Sequence, residues 1–440
     1  MTASTTAAIV AANRFGFAPK PGELKSIAAD PREWVEAQLK GSAEIPAGEL
    51  PPSRETVALM LEARKDKQER PEVQQRFRQV FLGEVDARMR AAIVGDTPLL
   101  ERLTQFWSNH FTVSAMRPVV RGFVGAFERE AIRPHVLGHF ADLLLAVTRH
   151  PGMLLYLDNA QSIGPDSMVG QRQEKGLNEN LGRELLELHT LGVDGGYTQA
   201  DVVALARILT GWSISRLNLP DPGTFHFYPA LHEPGAKTLL GRTYQQAGIE
   251  EGEAALRDLA LHPSTARHVA VQLARHFIAD VPPTDAVERI ARAYRDSGGD
   301  LRRVTLAVIR EEAAWREPFA KVRAPTDLMI AAYRATGTVP KPEIAFRDLK
   351  RLEQPPFLAP SPAGWPDVAS QWISPETVLR RAEWCQTFAE AVAEPPDPVE
   401  VMDAAFSDAL PEDTQQVVRR APSKRAGLAL LIASPQFQRR

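Results

Sequence analysis

Residues 176–192, GLNENLGRELLELHTLG, carry the reading on which the fold turns. Set at 100° per residue, Leu177, Leu181, Leu185 and Leu188 share an apolar face. Asn180, Arg183, Glu184 and Glu187 share one narrow polar stripe, and Leu186 lies on the far side, so apolar residues flank the stripe. The pattern predicts a helix buried on most sides, with its carboxylates facing an interior polar site. His189 falls roughly opposite Asn180, away from the stripe.

Helical spacing recurs outward in both directions. Upstream it predicts helices over Asp30–Leu39, Arg54–Ala63, Pro71–Ile93, Thr97–His110, Val119–Glu130 and Val136–Thr148. Downstream, Thr198 and Asp201 have capping-box spacing and open a helix to about Leu209. Further helices follow over Glu250–Leu261, Ser264–Ile278, Asp285–Arg295, Leu301–Glu312 and Pro325–Ala335. Ser374 before Pro375 marks another start. Strand alternation is confined to Thr224–Tyr228 and Thr238–Leu240, which predicts at most a small hairpin. Three long stretches, Met153–Gly176, Ser213–Gly248 and Gln354–Ile373, lack helical spacing. Those rich in aromatics read as ordered caps. The expected fold class is all-α: a multi-helix single large unit over 1–440, with a minor β-hairpin near 224–241 and long ordered loops. Sub-lobes are expected over 1–150, 151–250 and 251–440.

Composition narrows the function classes. The chain has 440 residues and a formal net charge of −3, which argues against a protein that binds nucleic acid by neutralising phosphates. Its one cysteine, Cys385, excludes an internal disulfide framework and any thiolate zinc site. No run approaches the ~20 apolar residues of a membrane span. No basic segment precedes the short apolar stretch Ala7–Ala12, so the sequence predicts a cytoplasmic protein. Walker, dinucleotide-fingerprint, HExxH, GxSxG and CxxCH patterns are absent.

Four groups of residues remain for chemistry. Glu184 and Glu187, one turn apart, suit a hard cation or acid–base work, and equally an ion-pair network with Arg183. In FWSNHF, 106–111, His110 ends a helix beside Trp107 and Asn109. In HFYPALHEPGAKTLLG, 226–241, His226 and His232 sit near Glu233 and Lys237. In HPSTARHVAVQLARHF, 262–277, His268, Gln272 and His276 recur every four residues on one face, a spacing found in metal sites and in plain helices.

These segments, with RFGFAPKPGEL (14–24), MLLYLDNAQS (153–162), the continuation of the central run to TGW (210–212) and PFLAPSPAGWPDVASQWISPETVLRR (356–381), resemble the bacterial domain of unknown function 1800 family over nearly the whole chain. The resemblance implies a mostly helical bacterial protein. Its relatives are often exported and often encoded beside an alkaline-phosphatase-like protein. Family-typical positions include Trp107, Asn109, His110, Asn180, Arg183, Glu184, Glu187, Gly211, His232 and Trp365; Glu233 stands where the family has aspartate.

The expectation drawn from residues and resemblance together is an enzyme with a buried His/carboxylate site. His110, Glu184, Glu187 and His232 are its candidate catalytic groups. Asn109, Asn180, Arg183, Trp107 and Trp365 are its candidate substrate contacts. His110, Glu184 and His232 are the candidate ligands of a divalent metal ion. Its reaction would be hydrolytic or oxidative, on a glycan or cell-envelope polymer. The competing expectation is a helical scaffold or partner-binding protein with a structural ion-pair network, the alkaline-phosphatase-like protein being the candidate partner.

Overall fold

The computed structural model describes residues 3–45, 48–65, 68, 70–172 and 176–440. Residues 173–175 of the expected central loop therefore lie outside the described residues. The fold is mostly helical: among the described residues, α-helices run from Ala3–Val10 to Lys424–Ala433, and β structure is limited to two two-stranded antiparallel sheets. Buried apolar residues from Ala8 to Phe437 form one cluster. No described helix is long and apolar enough to cross a membrane.

The start signals act as their chemistry requires. The Thr198 side chain accepts from the Asp201 backbone N–H and the Asp201 side chain accepts from the Thr198 backbone N–H, opening the helix Gln199–Ile208. Ser374 does the same with Thr377 ahead of Pro375–Ala391. Asp30 caps Pro31–Ala37.

Three expectations are adjusted. The single helix over Val119–Glu130 is divided into short turns, Pro118–Val120, Val124–Phe127 and Glu128–Ile132. The expected strand segments do not pair with each other. Phe225–Phe227 pairs with Trp212–Ile214, and Lys237–Leu239 pairs with Arg242–Tyr244. The central helix is α-helical only over Asn180–Glu184, then widens to π pitch over Leu185–His189. That widening carries Leu185, Leu186 and His189 fully inside, while Glu184 and Glu187 stay half-buried. The carboxylate stripe therefore lies along the flank of this helix.

Gly211 links the Gln199–Ile208 helix to the first sheet with φ +82°, and a Cβ there would sit 2.7 Å from the Tyr228 carbonyl oxygen. The same two residues are joined by a hydrogen bond from Tyr228 N to Gly211 O, at 2.8 Å. Gly211→Ala combines a left-handed backbone with a backbone clash, and is expected to cost about 2 kcal/mol or more. Urea unfolding of the variant against wild type measures this; an unchanged midpoint would contradict it.

Candidate functional site

The fold forms a partly open cavity of about 350 Å³, within the range of small-molecule sites. Its walls come from the helix Pro98–His110, the helix Pro263–Phe277, the start of Pro325–Thr336, the 354–368 segment and Arg440.

Each wall has a local cause. Pro98 opens its helix at the first turn, where the missing N–H is not needed, and the helix runs to His110. His262 caps the second helix by accepting the Ser264 N–H at 3.1 Å. The four-residue repeat then turns His268, Gln272 and His276 together toward the cavity. The 354–368 segment is fixed at Gly364, with φ +76°, where a Cβ would fall 2.5 Å from the Asn109 carbonyl oxygen. That approach lets the Asn109 carboxamide hold the Trp365 backbone at both ends. Trp365 N donates to Asn109 Oδ1 at 2.7 Å, and Asn109 Nδ2 donates to Trp365 O at 2.9 Å.

A short polar contact on the cavity wall joins His276 and Asp367. His276 Nδ1 lies 2.5 Å from Asp367 Oδ2. Arg102 Nη1 lies 3.4 Å from His276 Nε2. A guanidinium only donates, so Nε2 accepts and the ring proton sits on Nδ1, facing the carboxylate. Burial pulls the His276 pKa down to about 4, against the upward pull of Asp367, so the ring is neutral near pH 7. Burial alone would raise the Asp367 carboxyl, but His276, Lys321 and Arg440 together hold it below the usual carboxylate range.

Beyond this pair, Asp327 Oδ2 accepts from Arg102 Nη1 at 3.0 Å and is 3.0 Å from Arg440 Nε. Glu128 meets Arg88 at 3.0 Å, Arg133 at 3.1 Å and the Ser108 hydroxyl at 2.8 Å. On another side, His110 Nε2 contacts the His189 carbonyl oxygen at 3.1 Å and His268 Nε2 contacts that of Leu188 at 3.0 Å. Those carbonyls end the π turn and have no acceptor role left within it, so the two histidines close the helix end. His189 is 1% exposed, neither of its ring nitrogens has a hydrogen-bond partner among the described residues, and burial lowers its pKa to about 3.

The residues expected from sequence are thus divided. His110, Asn109 and Trp365 line the cavity. Trp107 is fully buried behind it, against Phe106, Phe111 and Phe140. Asn180 is exposed, and Arg183 pairs with Glu179 at 2.9 Å and Gln199 at 2.9 Å. Glu184 and Glu187 are absent from the cavity wall. Burial and then the neighbouring Glu187 push the Glu184 carboxyl up.

His232 is also elsewhere. It is buried on the loop behind the first sheet, with Nε2 3.1 Å from Glu251 and Nδ1 2.9 Å from Thr210 O. Lys237 closes that cluster, 3.1 Å from Glu251. His110, Glu184 and His232 therefore do not form one donor set: His110 lines the cavity, His232 is held by Glu251 and Thr210, and Glu184 lies off the wall. Among the described residues, no group of three or more His, Cys, Asp or Glu side chains is placed to hold a metal ion.

Sequence reasoning did not select Arg102, Asp327, Asp367 or Arg440. The four-residue spacing of His268, Gln272 and His276 is a local signal for this wall, as is His110 beside Asn109. Asp327 is 225 residues from Arg102, and no spacing rule connects them.

No curated protein and no solved structure matches the chain. The cavity draws its wall from Phe17 to Arg440, and one family's sequence pattern, described as protein of unknown function (DUF1800), runs through nearly all of that span, over residues 10–439: the chain belongs to this family.

Proposed function

We propose that the protein is an enzyme whose site is this cavity, with His276 accepting a proton from the substrate or from water. The observation that carries the reading is the 2.5 Å His276–Asp367 contact on the wall of a ligand-sized cavity. Asp367 holds the ring in one tautomer and stabilises the imidazolium formed when Nε2 takes a proton, a step in which Nε2 exchanges its 3.4 Å contact with Arg102 for the substrate. Hydrolysis at the end of a glycan or other envelope polymer suits such a pair, because the hydroxyl or water that attacks must lose a proton. The cavity volume suits one terminal unit of a polymer rather than an extended strand.

The test is a panel of nitrophenyl glycosides, esters and phosphates offered to the purified protein and to His276→Gln. The reading expects turnover of at least one class, reduced at least about 100-fold in the variant with its melting temperature kept. Turnover that survives His276→Gln, or none across the panel, would count against it.

A scaffold reading is favoured by a different observation: Asp327 and Asp367 tie Arg440 to the helices Pro98–His110 and Pro263–Phe277. On that reading His276→Gln lowers the melting temperature and no turnover exists. The partner to test is then the alkaline-phosphatase-like protein that the resemblance suggests, by co-purification.

A further inference from the structure

The charges on the cavity wall do not balance. Arg88, Arg102, Arg275 and Arg440 face it, against Glu128, Asp327 and Asp367. Two of those carboxylates are also engaged from behind, Glu128 by Arg133 at 3.1 Å and Asp367 by Lys321 at 3.2 Å. Asp327 is shared by Arg102 and Arg440 through the same oxygen. Among the described residues, four hydrogen-bonding groups on the wall are left without full use, one of them Arg440 Nε, which lies 3.0 Å from Asp327 Oδ2 without hydrogen-bond geometry. Arg102 is 1% exposed, and its Nη2 has no hydrogen-bond partner. Gln105, one turn along the same helix, has a buried Nε2 that also lacks one. Among the described residues Arg275 has no carboxylate within ion-pair distance, and its Nε makes a 3.4 Å contact to the Asp280 carbonyl oxygen.

A buried guanidinium nitrogen left without an acceptor is costly, and the cost falls when an acceptor enters. Donors of this kind, facing one cavity from two helices, are what an oxyanion with several lone pairs satisfies. Water satisfies a single donor, but adds no negative charge to a wall where cations outnumber anions.

We propose that the cavity binds its small-molecule ligand through an anionic group, a phosphate or a carboxylate, held by Arg102, Gln105 and Arg275. This rests on the cavity being the functional site, but not on the role of His276. A ligand of this class leaves His276 beside the anion-bearing end, so the reacting bond lies close to the charged group.

Isothermal titration of the full chain with inorganic phosphate, and separately with succinate, tests the inference without any turnover. Saturable binding of one equivalent is expected for at least one probe, weakened at least about 10-fold in Arg275→Gln and in Gln105→Leu. The tighter probe assigns phosphate or carboxylate. Arg102→Gln is a poor sole test, since it also breaks the buried pair with Asp327 and the contact with His276; the other two variants keep the buried ion pairs intact. No binding of either probe, or binding unaffected by both substitutions, overturns the proposal. His276→Gln that retains anion binding while losing turnover separates this inference from the catalytic one.

Discussion

Asp327→Ala is expected to destabilise the protein by roughly 3–5 kcal/mol. Asp327 is a nearly buried carboxylate that accepts from Arg102 and lies against Arg440, both at 3.0 Å, and the two guanidiniums are 1% and 2% exposed. Arg323, also fully buried, lies close enough to repel both. Removing the carboxylate leaves these cations without their shared counter-charge in a medium that screens poorly. Burial and the neighbouring Arg440 already pull the Arg102 pKa down to about 10, which shows how little reserve the cluster has. A surface pair gives the contrast. Arg32 and Glu312 meet at 2.8 Å, but their side chains are 41% and 69% exposed, so Glu312→Ala should cost under about 1 kcal/mol. Urea unfolding of both variants decides the matter. Equal costs would mean that the buried cluster adds no more than a surface contact. Asp327→Asn, which keeps an acceptor but removes the charge, should fall between Asp327→Ala and wild type.

Acid should unfold the protein early, with stability falling steadily below about pH 6.5. Burial lowers the pKa of His110, His189, His268 and His276 in the folded chain, to about 3 for His189 and about 4 for His276. In the unfolded chain these rings take up protons near the ordinary histidine value of ~6.5. Between that value and the folded one, the unfolded state binds more protons, so lowering pH favours unfolding. Each such ring contributes a slope of up to about 1.4 kcal/mol per pH unit. For His276 the window closes near pH 4, and for His189 near pH 3. Asp327, held down to about 2 mainly by Arg102 and Arg440 against its burial, adds a loss of the same sign below about pH 3.8. Urea midpoints at pH 7.5, 6 and 5 test this. His189→Phe should flatten the profile by about one proton, since His189 makes no ring hydrogen bond to lose. A midpoint that does not move between pH 7.5 and 5 would show that the histidines titrate in the folded chain as they do in the unfolded one.

Much of the helical plan was legible because its signals are local. A cap such as Thr198 needs only the residue three positions on, and Pro375 needs only Ser374 before it. The strand at Phe225–Phe227 was visible for the same reason, but its partner Trp212–Ile214 was not, because pairing is set by how Gly211 turns the chain. The site was legible only in part. His110, Asn109 and Trp365 stand out as polar or aromatic residues amid apolar segments, and they do meet at the cavity. Glu184 and Glu187 lie off this cavity, and a wheel drawn at constant pitch does not foresee the π turn after Glu184. Their side chains follow the flank of the helix, and the cavity receives Leu188 from it instead.

By itself the sequence determined the helical class, most helix starts, the family and the spacing that puts His268, Gln272 and His276 on one face. Those depend on contacts within about one turn of the chain. The tertiary structure decided which polar groups lose water together. Arg102, Asp327, Asp367 and Arg440 come from four distant segments, and only their shared burial makes them one electrostatic unit. Desolvation depends on everything packed around a group, so no single stretch of sequence could have announced it.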